Sequence, residues 1–323
     1  MRQTLLRRRH LPRHNKAMPD PTVSNQVDAP HSHSELPIER IKPDSELVDL
    51  MRGDARWQLP VHQHGFIALC DVMPRLVMPG QTADAAIVQA ARVSYGAGTK
   101  QVSEDRALVR YLLRHRHTTP FEMVELKFHV AMPMFVARQW IRHRTANVNE
   151  YSARYSIVPD RFYRPTVESV RKQSSVNRQG GDEPIDAGTA QEFLQLLEGA
   201  ESNYRSYLSL TERGVARELA RAALPVSVYT EWYWKCDLHN TLRFLSLRMD
   251  SHAQQEIQDF AKAMYRLIHP LAPVTCEAFM DYDLQAMQLT RLEIDAIRSG
   301  QPLATQNKRE TAEFEAKKAR LGL

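Results

Sequence analysis

Apolar and polar positions alternate most regularly between Val124 and Val130, where Val124, Leu126, Phe128 and Val130 are separated by Glu125, Lys127 and His129. A period of two sends alternate side chains to opposite faces, so a half-buried strand is expected here. Gly65 to Val72, with Phe66, Ala68, Cys70 and Val72 in step, reads as a second strand. Val226 to Cys236, rich in Val, Tyr and Trp, reads as a third. Elsewhere the spacing is helical. Ala86, Ile87, Ala90 and Val93 predict a helix from Thr82 or Asp84 to Val93, ending before Gly96 and Gly98. Ser103, followed by Glu104 and Asp105, predicts the N-cap of a helix carrying Ala107, Leu108, Tyr111 and Leu112, which should stop before Pro120.

Pro133 fits the first turn of a helix running through Met134, Phe135, Val136, Trp140 and Ile141. Beyond it, Thr145 to Tyr155 has no apolar period and reads as a loop, and Thr166 to Ala187 as a polar surface insertion or mobile loop. A long helix is expected over Thr189 to Arg213, closed by Gly214, and a short one over Val215 to Leu224, stopped by Pro225. Asp237 or Asn240 should cap a helix to about Met249, with another from Ser251 to His269. A charged helix over Asn307 to Leu323 closes the chain or is mobile. Strands and helices interleave irregularly, which favours an α+β fold over a doubly wound one. There is no G-x-G-x-x-G fingerprint and no G-x-x-x-x-G-K-[ST] loop, so a bound nucleotide must be held in some other way.

Composition changes this picture mainly at the N-terminus. The 323 residues carry a formal charge of +5. Met1 to Pro19 holds six basic residues and no acidic one, and removing those six from 43 leaves 37 against 38 acidic residues. The excess charge belongs to the tail, and the near-neutral remainder argues against a broad nucleic-acid surface. Residues 1–43 are expected to be a disordered basic tail, resembling an organellar transit peptide or reflecting an upstream start with Met18 as an alternative first residue. The folded domain is assigned to 44–305 and the charged helix or tail to 306–323. No uncharged apolar run is long enough to cross a bilayer. Cys70, Cys236 and Cys276 form no metal or redox spacing, which fits a reducing, cytoplasmic setting.

Candidate chemistry concentrates in Arg138 to Tyr155. Arg138, Arg142, His143 and Arg144 gather at a helix end, followed by Asn147, Asn149, Glu150, Ser152, Arg154 and Tyr155. Guanidinium groups suit a phosphate, and amide-like groups suit the edge of a pyrimidine or flavin ring. By composition alone the commoner reading of such a segment is a solvated turn with surface ion pairs. His62/His64 and His115/His117 lack a third ligand at suitable spacing, so no metal is expected.

Arg142-His143-Arg144, seven residues, then Ser152 resembles the signature of the flavin-dependent thymidylate synthases. Phe135 to Trp140 before it and Ala153 to Ser156 after it agree as well. So do Ala91 to Ser94, His117 to Glu122, Ala220-Arg221 before Leu224-Pro225, and Leu247 to Gln254, in the family order. The resemblance implies an antiparallel sheet flanked by helices, and reductive methylation of dUMP to dTMP. FAD would carry the hydride, NADPH would reduce the flavin, and 5,10-methylenetetrahydrofolate would donate the carbon. It further implies a homotetramer with active sites between subunits, and no nucleic-acid or membrane partner.

Carried over by position, dUMP contacts fall on Gln139, Arg142, Glu150, Ser152, Ala153, Arg154, Arg221 and Arg248. FAD contacts fall on Ser94, Thr119, Glu122, Arg142, His143, Arg144, Asn149, Glu150, Asp237, His239, Arg243 and His252. The chain departs from common family forms at Arg243, often Asn or His, and at Met123, often His. Arg248, beside the uracil ring, His117, near flavin and folate, and Ser152 are the implied catalytic residues. Ser152 serves as a binding hydroxyl, because no His and Asp are spaced to activate it. The rival reading is a nucleotide- or RNA-binding protein using the Arg-rich tail and the Arg142 region.

Overall fold

The computed structural model describes residues 48–49, 57–74, 82–95, 104–174 and 180–323. The tail, Ser103, Gly96 and Gly98 lie outside them. The described strands are β1 (Val48–Asp49), β2 (Trp57–Val61), β3 (Gly65–Met73), β4 (Glu125–Pro133), β5 (Asn147–Glu150), β6 (Arg171–Gln173), β7 (Gly181–Pro184) and β8 (Tyr229–Asp237). The helices are α1 (Ala83–Arg92), α2 (Asp105–Arg114), α3 (Thr119–Glu122), α4 (Met134–Trp140), α5 (Ala187–Glu212) and α6 (Arg217–Ala220). They continue with α7 (Leu238–Arg248), α8 (Gln255–Ile268), α9 (Pro273–Phe279), α10 (Arg291–Ser299) and α11 (Lys308–Leu321).

Six strands form one antiparallel sheet in the order β1-β2-β3-β4-β8-β5, as an α+β fold requires. Its core is a cross-strand row, in which Trp57 opposes Leu69, Leu69 opposes Phe128, Phe128 opposes Trp234 and Trp234 opposes Val148. A parallel row joins Leu59, Ile67, Val130 and Trp232. Matched apolar partners across strands fix the register, because a slip of one residue would turn every one of them to the other face.

The half-buried expectation holds only for the first part of β4. From Phe128 to Pro133 every residue is buried, His129 included. The strand is central, and on its polar face His129 stacks on Tyr233 at 4.6 Å and meets Phe66 edge-on. His129 Nε2 lies 2.5 Å from Glu231 Oε1, which satisfies the buried ring.

Helices α4, α7 and α8 pack on the apolar face. Trp140, at the end of α4, is 0% exposed, stacks on Phe244 of α7 at 4.5 Å and meets Trp232 and Trp234 edge-on. Each such aromatic pair adds roughly 0.5–1.5 kcal/mol beyond burial. The basic run after Trp140 is thereby held at a fixed place beside α7. Asp84 of α1 is buried and accepts from Val274 N, Thr275 N and Thr275 Oγ1 at 2.9, 3.0 and 2.6 Å, capping α9 from a distant part of the chain.

Several expectations are corrected. Thr145 to Tyr155 is not all loop, since Asn147–Glu150 is edge strand β5, with only Val148 facing the core. Pro133 ends β4 and stands at the N-cap of α4, with extended ψ 144°, rather than in its first turn. The helix expected to stop before Pro120 does so, α2 ending at Arg114, while Pro120 itself lies in the first turn of the separate α3, where its missing N–H is not needed. The short helix of 215–224 is α6 followed by a tighter turn over Arg221–Ala223, and α8 begins at Gln255, four residues later than expected. Within 166–187 the strands β6 and β7 pair as a hairpin. α11 docks through buried Phe314, and Lys317 reaches Glu293 at 2.8 Å.

Candidate active site

Two elements bring the signature residues together. The turn after α4 presents Arg142, His143 and Arg144, and the end of α7 lies beside it with Arg243 and Arg248. Arg248 Nε donates to His143 Nε2 at 3.1 Å, and the His143 ring meets Phe244 edge-on at 4.9 Å. Burial, followed by the charges of Arg248 and Arg243, lowers the His143 pKa to about 4. The ring is therefore neutral at physiological pH and accepts from Arg248. Burial, then Arg142, pulls the Arg248 pKa down as well, although a guanidinium stays charged.

A separate cavity of about 610 Å³ is lined on one side by α4 and by Ile141, the residue before Arg142. Arg138, Glu150, Ala153, Glu218, Arg221 and Thr230 are among the side chains lining it. Glu150 accepts from Thr230 Oγ1 at 2.6 Å, and the Arg221 Nε–H is turned to Glu218 O at 3.3 Å. The loop behind Ala153 is fastened to α5, because Tyr204 Oη donates to Val158 O at 2.6 Å and Val158 N to Tyr207 Oη at 3.2 Å. Ser152 Oγ accepts from Arg154 N at 3.4 Å.

Among the described residues, Arg138, Arg142, Arg144, Arg154, Arg221, Arg243 and Arg248 have no carboxylate at ion-pair distance. Elsewhere, Arg106 and Arg110 both pair with Glu277. These seven guanidiniums hold their charge without a carboxylate to neutralise it, although Arg248 donates to His143 and Arg221 to Glu218 O, and such groups suit anions.

The other expected positions fall into a second set. Ser94 follows α1, His117 precedes α3, Thr119 and Glu122 lie on α3, and α3 packs between α1 and α7. Asp237 spends both carboxylate oxygens capping α7, on Asn240 N and Asn240 Nδ2, each at 2.8 Å, and His239 lies in the same first turn. Asn149 is exposed on β5. His252 pairs with Asp250 at 2.7 Å and lines a larger cavity of about 1050 Å³ beside the β6–β7 hairpin. No hydrogen bond or ion pair among the described residues joins His117, Ser94 or Thr119 to the Arg142–Arg248 cluster. His62 Nε2 lies 3.0 Å from Asp259 Oδ2. Thr230 and Gln254 escaped sequence reasoning. Thr230 carries no signal in a strand of aromatic residues, and Gln254 lies in the Leu247 to Gln254 run without a role assigned to it.

Fold and site together define an α+β protein with an arginine-rich surface at α4 and α7, outside the Rossmann and P-loop designs. The family model described as thymidylate synthase complementing protein matches residues 75–274. A flavin-dependent thymidylate synthase of Dictyostelium discoideum is 63% identical over 281 residues, which cover 87% of this chain and 93% of that one. One from Wolbachia pipientis wMel is 52% identical over 239 residues, covering 74% and 81%. The crystal structure of the UMP/dUMP methylase PolB from Streptomyces cacaoi bound with 5-Br UMP superposes with a TM-score of 0.60 at 34% identity, covering 69% of this chain and 97% of that one. The chain belongs to the flavin-dependent thymidylate synthase family.

Proposed function

We propose that this protein methylates dUMP to dTMP, with FAD as bound flavin, NADPH as reductant and 5,10-methylenetetrahydrofolate as carbon donor. The observation that carries the reading is the set of guanidiniums without a carboxylate partner on a fold shared with the family. Arg221 and Arg154, with Ala153 and Ser152, hold the dUMP phosphate, since a dianion leaving water needs charge-assisted donors. Gln139 and Glu150 read the nucleoside.

Arg142, Arg144 and Arg243 fit the pyrophosphate of FAD, and the neutral His143 ring adds no charge where a flavin edge would lie. Bound FAD supplies hydride to the pyrimidine ring. Arg248, fixed by its bond to His143, stabilises negative charge developing on that ring. His117, Ser94, Thr119, Glu122, Asn149, His239 and His252 complete the flavin surface. In a homotetramer, sites between subunits would unite the two sets of residues. The exposed apolar side chains Phe193, Leu196, Leu219 and Val226 support such assembly. The protein would work in the cytoplasm, where its three cysteines stay reduced.

The test is spectroscopic. Purified protein loaded with FAD should show a bound-flavin spectrum that NADPH bleaches, and reoxidation should accompany dTMP formation when dUMP and methylenetetrahydrofolate are added. Protein that takes up no flavin contradicts the reading.

A further inference from the structure

Behind Gln139 runs a chain of hydrogen bonds with a defined direction. Tyr163 Oη donates to Glu256 Oε1 at 2.8 Å, Gln254 Nε2 donates to Glu256 Oε2 at 2.7 Å, and Gln139 Nε2 donates to Gln254 Oε1. Its root is packed firmly. The Tyr163 ring meets His62 at 5.2 Å and Phe135 at 5.4 Å, both edge-on, and its N–H donates to Ser227 O at 2.9 Å. Burial first, then Glu256, raises the Tyr163 pKa, so the phenol keeps its proton and stays a donor.

A primary amide is symmetric in shape but not in chemistry, since one end only donates and the other only accepts. A carboxylate only accepts. With Glu256 at the root, the Gln254 amide must turn its NH2 toward Glu256 and its carbonyl toward Gln139. Gln139 must then turn its own NH2 inward, which leaves its carbonyl oxygen as the group it offers outward. We propose that Glu256, acting through Gln254, is a positioning residue that sets the amide polarity of Gln139, so that Gln139 presents an acceptor to a donor of the nucleotide, an imide N–H or a sugar hydroxyl. The inference rests on the reading of Gln139 as a dUMP contact. None of Tyr163, Gln254 and Glu256 carries a role in that reading, and Glu256 acts only through the amides in front of it.

Glu256→Gln is the discriminating change. It keeps size and replaces an acceptor-only group by an amide whose NH2 can face Gln254, which reverses both amides and offers an NH2 to the substrate. Removing one net hydrogen bond of ordinary strength corresponds to about tenfold in affinity. The full-length FAD-loaded protein should show KM for dUMP raised about tenfold, with kcat and the FAD affinity within about twofold. A structural defect would give a similar loss in any background. Positioning through Gln139 would not, because in Gln139→Ala the second change Glu256→Gln should add no further rise in KM. Gln254→Met, which cuts the chain in its middle, should reproduce the same coupling and serves if Glu256→Gln fails to fold. Wild-type protein that forms no dTMP overturns the functional reading and this inference with it. An active wild type whose Glu256→Gln variant keeps its KM, or raises it equally in the Gln139→Ala background, overturns the positioning role alone.

Discussion

The His143–Arg248 pair makes a prediction about pH that can be worked from its geometry. In the folded protein His143 titrates at about 4 against an ordinary 6.5, because burial and two neighbouring guanidiniums oppose its charged form. The folded pKa is depressed, so between pH 6.5 and 4 the unfolded chain binds a proton that the folded one refuses. Stability is therefore complete above 6.5 and falls as pH drops through that window. The gap corresponds to about 3 kcal/mol, which partial exposure of the ring discounts to about 1–2 kcal/mol. For a chain of this size that is about 2–3 °C in Tm. His143→Gln provides the control, since its amide oxygen can still accept from Arg248 Nε and cannot take up a proton. Thermal unfolding of both proteins at intervals from pH 7 to 4.5 should show the wild type losing about 2–3 °C more than the variant. Parallel profiles would refute the assignment of a neutral, proton-refusing His143.

Two further outcomes follow from the packing. Asp84→Ala should cost about 2–3 kcal/mol in urea unfolding, because two backbone N–H groups and the Thr275 hydroxyl lose their acceptor. Asp84→Asn, which keeps one acceptor, should cost less, and equal losses would count against the cap. Burial pushes the Cys236 thiol up to about 12 and raises that of Cys276 too. Iodoacetamide at neutral pH should therefore label half-buried Cys70 first and the other two only on unfolding. A variant with all three cysteines changed to Ala should still form dTMP, and loss of turnover in a folded variant would point to a thiol nucleophile.

Much of the fold was legible because it is carried by local pattern. The alternation over Val124 to Val130 located the central strand, and the apolar spacing around Ile87 and Leu108 located two helices. What the pattern missed depends on neighbours far along the chain. The second half of β4 is buried on both faces because Phe66 and Tyr233 cover His129. β5 has strand form because β8 offers it a paired edge, not because its own residues favour it. The candidate site was legible as a family signature, and the structure adds what a signature does not encode. Arg248 touches His143 105 positions away, and Thr230 and Gln254 hold Glu150 and Gln139 from other elements.

Mass-spectrometric detection of dTMP made from dUMP tests the central claim most directly, with wild type and Arg248→Met compared under saturating FAD, NADPH and methylenetetrahydrofolate. The account predicts that wild type forms dTMP, and that Arg248→Met binds FAD yet loses at least about a hundredfold in rate, as removal of one donor to a developing anion does elsewhere. A flavin-loaded wild type that forms no dTMP, or an Arg248→Met variant as fast as wild type, would contradict it.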